Sequence, residues 1–153
     1  MKKLISLLAG ALLFATQASA TVVITRDSGG LIEAFVQKYE GIRASGDQVI
    51  VAGRCLSSCT MMLGIVRDSQ ICATPRGVFG FHSGMEWFPG RPMRYSPYWT
   101  QVMWRGYPER VRNLLRSRGW SGGPHPGLIM IRATDIVRPC QGGAPHAGAA
   151  RRA

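Results

Sequence analysis

The spacing of apolar positions changes several times along the chain, and each change marks an element. Val22 to Thr25 is a β-branched run closed by Asp27-Ser28-Gly29-Gly30, which predicts a strand entering a tight glycine turn. Leu31, Phe35, Tyr39 and Ile42 then recur at helical spacing with Glu33, Gln37, Lys38 and Glu40 between them. That is an amphipathic helix, expected to stop at Ala44-Ser45-Gly46-Asp47. The short apolar run Val49 to Ala52 follows at once and completes a βαβ unit, whose strands lie parallel with a right-handed crossover.

After Gly53-Arg54-Cys55-Leu56-Ser57-Ser58-Cys59-Thr60 the apolar stretch Met61 to Val66 predicts a helix starting near the serines, which are favoured N-caps. Gln70 to Ala73 and Val78 to His82 are two further short strands, separated by Thr74-Pro75-Arg76-Gly77, so His82 ends a strand. From Ser83 to Tyr98 the chain is rich in Gly, Pro and aromatics and fits no period, as expected of a loop or lid. Residues 99–118 are helical in pattern, broken at Pro108, with Val111, Leu114 and Leu115 facing inward and Gly119 ending the run. A loop over 121–126 leads to a last apolar segment, Leu128 to Ile131, and then to Cys140. Residues 141–153, small, polar or basic, form a disordered basic tail by composition.

The amino-terminal end changes the meaning of this pattern. Lys2 and Lys3 precede an apolar run from Leu4 to Phe14, and Ala18-Ser19-Ala20 closes the segment. These are the charged region, apolar core and A-x-A site of a cleavable secretory signal peptide over residues 1–20. The run falls short of the ~20 residues that a membrane-spanning helix needs, so no stable membrane insertion is expected after removal. A periplasmic or secreted bacterial protein follows. Residues 21–140 are then one α/β domain, too short for two.

The formal charge of +11 stays strongly positive once the two leader lysines are gone. Its arginines are scattered rather than striped on one helix, and no nucleic-acid motif accompanies them, which argues against nucleic acid and leaves weak attraction to anionic envelope surfaces. In an oxidising compartment, Cys55, Cys59, Cys72 and Cys140 are expected to form two disulfides, with all three pairings open. A bridge from Cys55 or Cys59 to Cys72 or Cys140 would staple the serine turn, while Cys55 to Cys59 is sterically accessible as well. Zinc on the C-x3-C pair with His82 lacks a second close-spaced ligand pair, so neither metal nor other cofactor is expected.

Three features fall on connections after strands: Gly29-Gly30, Ser57-Ser58 and His82. Ligand sites of parallel sheets gather at the carboxyl ends of strands. A serine at a strand-to-helix turn carries an exposed hydroxyl, a histidine in reach can take its proton, and glycine N–H groups can face the oxyanion. Each feature alone is commoner as a turn, a cap or a structural histidine.

Together, Asp27-Ser28-Gly29-Gly30, Gly53-Arg54-Cys55-Leu56-Ser57-Ser58-Cys59 and Cys72-Ala73-Thr74-Pro75-Arg76-Gly77-Val78-Phe79-Gly80-Phe81-His82 resemble the proteolytic subunit of Clp protease, within the crotonase-like superfamily. The likeness is greatest to a small exported bacterial branch with Cys-x-Ser-x-Cys and Gly-Phe-His motifs, and it spans roughly residues 22–82. It implies a Clp/crotonase-like α/β fold, Ser57 as nucleophile, His82 as general base, and the N–H groups of Gly30 and Ser58 as oxyanion hole. It also implies an orienting acid after His82, where only Glu86, Glu109 and Asp135 remain; Asp135, in the closing segment, is the candidate. The expected function is an exported, ATP-independent serine hydrolase acting on a peptide or small acyl substrate through a Ser-His dyad or incomplete triad. The alternative is a catalytically silent Clp-like envelope binding protein, and self-association is in keeping with the resemblance.

Overall fold

The computed structural model describes residues 19–141; the signal-peptide expectation, apart from Ser19 and Ala20, and the tail from residue 142 lie outside the described residues. The main sheet is built on β2 (Gln48–Leu56). On one side β2 pairs in parallel with β1 (Thr21–Asp27), and α1 (Ile32–Ser45) connects the two, which is the expected βαβ unit. On its other side β2 carries two short parallel strands in succession, β3 (Ile71–Ala73) along its first half and β4 (Val78–Phe81) along its second. Gly77 makes this handover between strands tight: a Cβ there would overlap the Val51 carbonyl.

The remaining elements close the core. A 3-10 turn, Ser57–Met61, runs into the single helical turn α2 (Met62–Ile65), shorter and tighter than the helix expected from the apolar stretch. The stretch expected to be a loop holds a two-stranded ribbon, β5 (Met85–Glu86) against β6 (Arg94–Tyr95). The predicted break at Pro108 separates α3 (Pro97–Gly106) from α4 (Glu109–Ser117). Ser96 caps α3, its hydroxyl accepting from the Trp99 N–H, with Pro97 at the first helical position. β7 (Ile129–Arg132) returns antiparallel to β4 and finishes the sheet.

Alternation along the paired strands gives the sheet two unlike faces. Cys55, Phe79 and Ile131 are neighbours in register, and all are buried in the core with Tyr39, Met62 and Trp120. One position earlier on β2 and β4, and one later on antiparallel β7, Arg54, Val78 and Arg132 form the next row, continued on β1 by Arg26. Its three arginines are exposed. A β-bulge sits beside this row: Ala52 and Gly53 face the single residue Thr25, and any side chain at Gly53 would collide with the Thr25 carbonyl.

Two disulfides form, Cys55–Cys59 and Cys72–Cys140. The serine turn is therefore stapled locally, to itself, and the long-range bridge to it does not form. Cys72–Cys140 instead fastens the end of the described chain to β3, where the Ala73 N–H donates to the Arg138 carbonyl and the Cys140 N–H to the Ala73 carbonyl. With all four thiols oxidised, no C-x3-C pair is left to hold zinc. No helix among the described residues is long and apolar enough to cross a membrane.

Candidate active site

The turn after β2 carries strained backbone. Ser57 has φ of +57°, the one non-glycine residue among those described with a positive φ. Side chains avoid this region because Cβ crowds the following carbonyl, at roughly 1–2 kcal/mol. Several contacts hold the turn. The Thr60 hydroxyl donates to the Ser57 carbonyl at 2.6 Å, and having spent its proton there it accepts from Tyr107, whose hydroxyl lies 2.6 Å away. Tyr39 donates to the Cys59 carbonyl at 2.9 Å. Both phenols are buried, which raises their pKa and keeps them protonated donors; for Tyr39 the Asp27 carboxylate adds to the rise.

The glycine turn after β1 packs directly on this elbow. Gly29 has φ of +82°, and a Cβ on it would lie 2.6 Å from Ser57 Cβ and 2.9 Å from the Leu56 carbonyl. Glycine is thus required both by conformation and by space. The Gly30 N–H donates to Ser58 Oγ at 2.7 Å, and the same hydroxyl donates back to the Gly30 carbonyl at 2.9 Å. Ser58 is fully buried, so its hydroxyl does not reach solvent and its N-capping role is replaced by this clasp. Ser57 is half-buried and faces the surface clefts.

His82 follows β4 and shares two clefts with Ser57. Its Nδ1 lies 2.5 Å from the Ser83 carbonyl. A carbonyl only accepts, so Nδ1 carries the proton and Nε2 of the neutral ring is left with a free lone pair, the tautomer a general base needs. No direct hydrogen bond joins Ser57 to His82 among the described residues. The main-chain carbonyl of Ser83 occupies the place where a triad would put its acid. None of the three carboxylates reaches that nitrogen: Asp135, in a 3-10 turn after β7, pairs with Arg132 at 3.4 Å, Glu86 accepts from Ser96 at 2.6 Å, and Glu109 pairs with arginines of its own helix.

One cleft, of about 680 Å³, lies between Ser57, His82 and the 124–128 loop and includes His125, which the sequence did not single out. Ser83 is responsible for placing it: the buried Ser83 hydroxyl accepts from the His125 N–H at 2.6 Å. One residue thereby fixes both histidines, His82 through its carbonyl and His125 through its hydroxyl. The second cleft, of about 760 Å³, runs from Ser57 and His82 along Leu31, Trp87, Phe88 and Met93. These four side chains are exposed, Trp87 at 66% and Leu31 at 76%, so the channel to the serine has an apolar flank, with Glu33 and Glu86 also in its lining. No protein-family model matches the chain, and neither does any curated protein or solved structure.

Proposed function

We propose that the chain is an exported, ATP-independent serine hydrolase of the Clp/crotonase-like type, with Ser57 as nucleophile and His82 as base. The observation that carries the reading is the strained Ser57, placed after a central parallel strand in the wall of two clefts shared with His82. Strain of this kind is maintained where function needs a side chain lifted from the chain. Both disulfides suit an oxidising compartment outside the cytoplasm, where no ATP-driven unfoldase operates.

In this mechanism a substrate acyl group lies in the channel, its carbonyl carbon over Ser57. Serine Oγ forms the new C–O bond as its proton passes to His82 Nε2. The tetrahedral oxyanion is received by the Ser58 N–H and, once the Ser58 hydroxyl turns away, by the Gly30 N–H. Collapse breaks the bond to the leaving group, which takes the proton from His82. Water, deprotonated by the same imidazole, then hydrolyses the acyl-enzyme and restores the serine. The Ser83 carbonyl keeps His82 in the working tautomer, as an orienting carboxylate does in a triad.

A second reading, a silent peptide-binding descendant, is favoured by one observation: the Gly30 N–H is already occupied by Ser58. A serine-reactive fluorophosphonate separates the two. Labelling of the oxidised protein, abolished by Ser57→Ala and by His82→Ala, supports the hydrolase; a folded sample that takes up no probe overturns it in favour of the binder.

A further inference from the structure

We propose that the outer face of the sheet carries a second, non-catalytic site, a cleft formed by Arg26, Arg54 and Arg76 that binds a phosphate group. Thr25, Arg26, Ala52, Gly53, Arg54 and Arg76 line a cavity of about 450 Å³. This cavity is separate from the two clefts at Ser57, with which it shares no lining residue.

The arrangement is costly without a ligand. Arg26 and Arg54 are directly paired across β1 and β2, and like charges at such positions destabilise a sheet. The β3–β4 turn, Thr74 to Gly77, then adds Arg76 to the same cleft. Each exposed arginine elsewhere on this row has relief: Arg132, two strands from Arg54, is paired with Asp135. Among the described residues the three cleft arginines have none. All eight acidic residues of the chain are among those described, and none lies within ion-pair distance of Arg26, Arg54 or Arg76.

The shape of the cleft is built by the chain, not left by chance. The Ala52-Gly53 bulge keeps Arg54 opposite Arg26, and only glycine fits at position 53 against the Thr25 carbonyl. Three arginines lining one cleft can turn their guanidinium forks toward a single ligand, and the several equivalent oxygens of a phosphate can each accept from such a fork of N–H donors. A carboxylate would satisfy one fork and leave two. The phosphate can come from a free phosphate ester or from the headgroup of an anionic lipid, and the chemistry of recognition is shared.

The test uses the purified, oxidised protein, with Arg54→Gln as the cleft variant and Arg105→Gln, an exposed arginine of α3, as a control of equal charge loss. Inorganic phosphate is titrated against chloride at constant ionic strength, and binding to phosphatidylglycerol vesicles is compared with phosphatidylcholine vesicles. Arg54→Gln is expected to weaken binding at least tenfold where Arg105→Gln changes it less than twofold. Loss with both probes, or with free phosphate only, identifies a soluble phosphate ligand; loss with anionic vesicles alone identifies a lipid headgroup. Equal weakening by the two variants, or no binding of either probe, overturns the proposal. Arg76→Gln repeats the measurement should Arg54→Gln fail to fold.

Discussion

Ser57 is held where an L-residue does not settle unaided, and its neighbours explain how. The Cys55–Cys59 bridge closes the turn on either side of it, Thr60 and Tyr107 tie its carbonyl inward, and Gly29 leaves room for its Cβ. The last contact gives a sharp prediction. Gly29→Ala combines a positive φ with a 2.6 Å overlap on Ser57 Cβ, for an expected loss of about 2–4 kcal/mol. Urea denaturation checks this against Gly127→Ala, where a Cβ meets nothing within 4 Å. A difference under about 1 kcal/mol between the two would show that the elbow relaxes freely. At this scale the sequence is informative because the signals are local. A glycine pair after a β-branched run and a serine pair flanked by cysteines already locate the turn, while the choice of Ser57 over Ser58 is what the family resemblance implies. What fixes His82 is not legible, since the acceptor is a main-chain carbonyl and any residue at position 83 has one.

Elements were legible in proportion to their length. The periods of α1 and the break between α3 and α4 at Pro108 stand out because whole turns repeat, whereas β5 and β6 have two residues each, too few for an alternation to show. His125 was missed for a related reason. Its place depends on a bond to Ser83, 42 residues away, and the Gly- and Pro-rich segment around it has no pattern of its own. Within α4 the charge pattern has a measurable consequence. Glu109, in the first turn, accepts from Arg116 and Arg112, and these bonds hold its carboxyl below its ordinary value, 4.5. A depressed folded pKa means that its stabilisation is present above the unfolded pKa and is lost as pH falls through the folded value. Glu109→Gln is therefore expected to lower the melting temperature slightly at pH 7 and not at all near pH 2. Because the carboxylate is exposed, the difference should shrink further in high salt; an effect that persists at low pH would point to helix capping and not to charge.

For the whole molecule, the two disulfides serve different ends, and their loop lengths say how. Cys72–Cys140 spans 68 residues and ties the closing segment to β3, so nearly all of the second half of the domain, including β4, α3, α4 and β7, lies inside the loop it closes. Cys55–Cys59 spans four residues and constrains little of the unfolded chain. Loop entropy alone assigns roughly 4 kcal/mol to the first and about 2 kcal/mol to the second. Replacing Cys72 and Cys140 together by serine should therefore lower the melting temperature well beyond the paired replacement of Cys55 and Cys59. Fluorophosphonate labelling should order the variants the other way, because the short bridge holds the backbone under Ser57 and the long one does not touch it. The two measurements separate a staple for the fold from a staple for the site. If the short bridge proved the larger contributor to melting and its loss left labelling unchanged, the Ser57 turn would owe its shape to the Gly29 contact and the Thr60–Tyr107 pair alone.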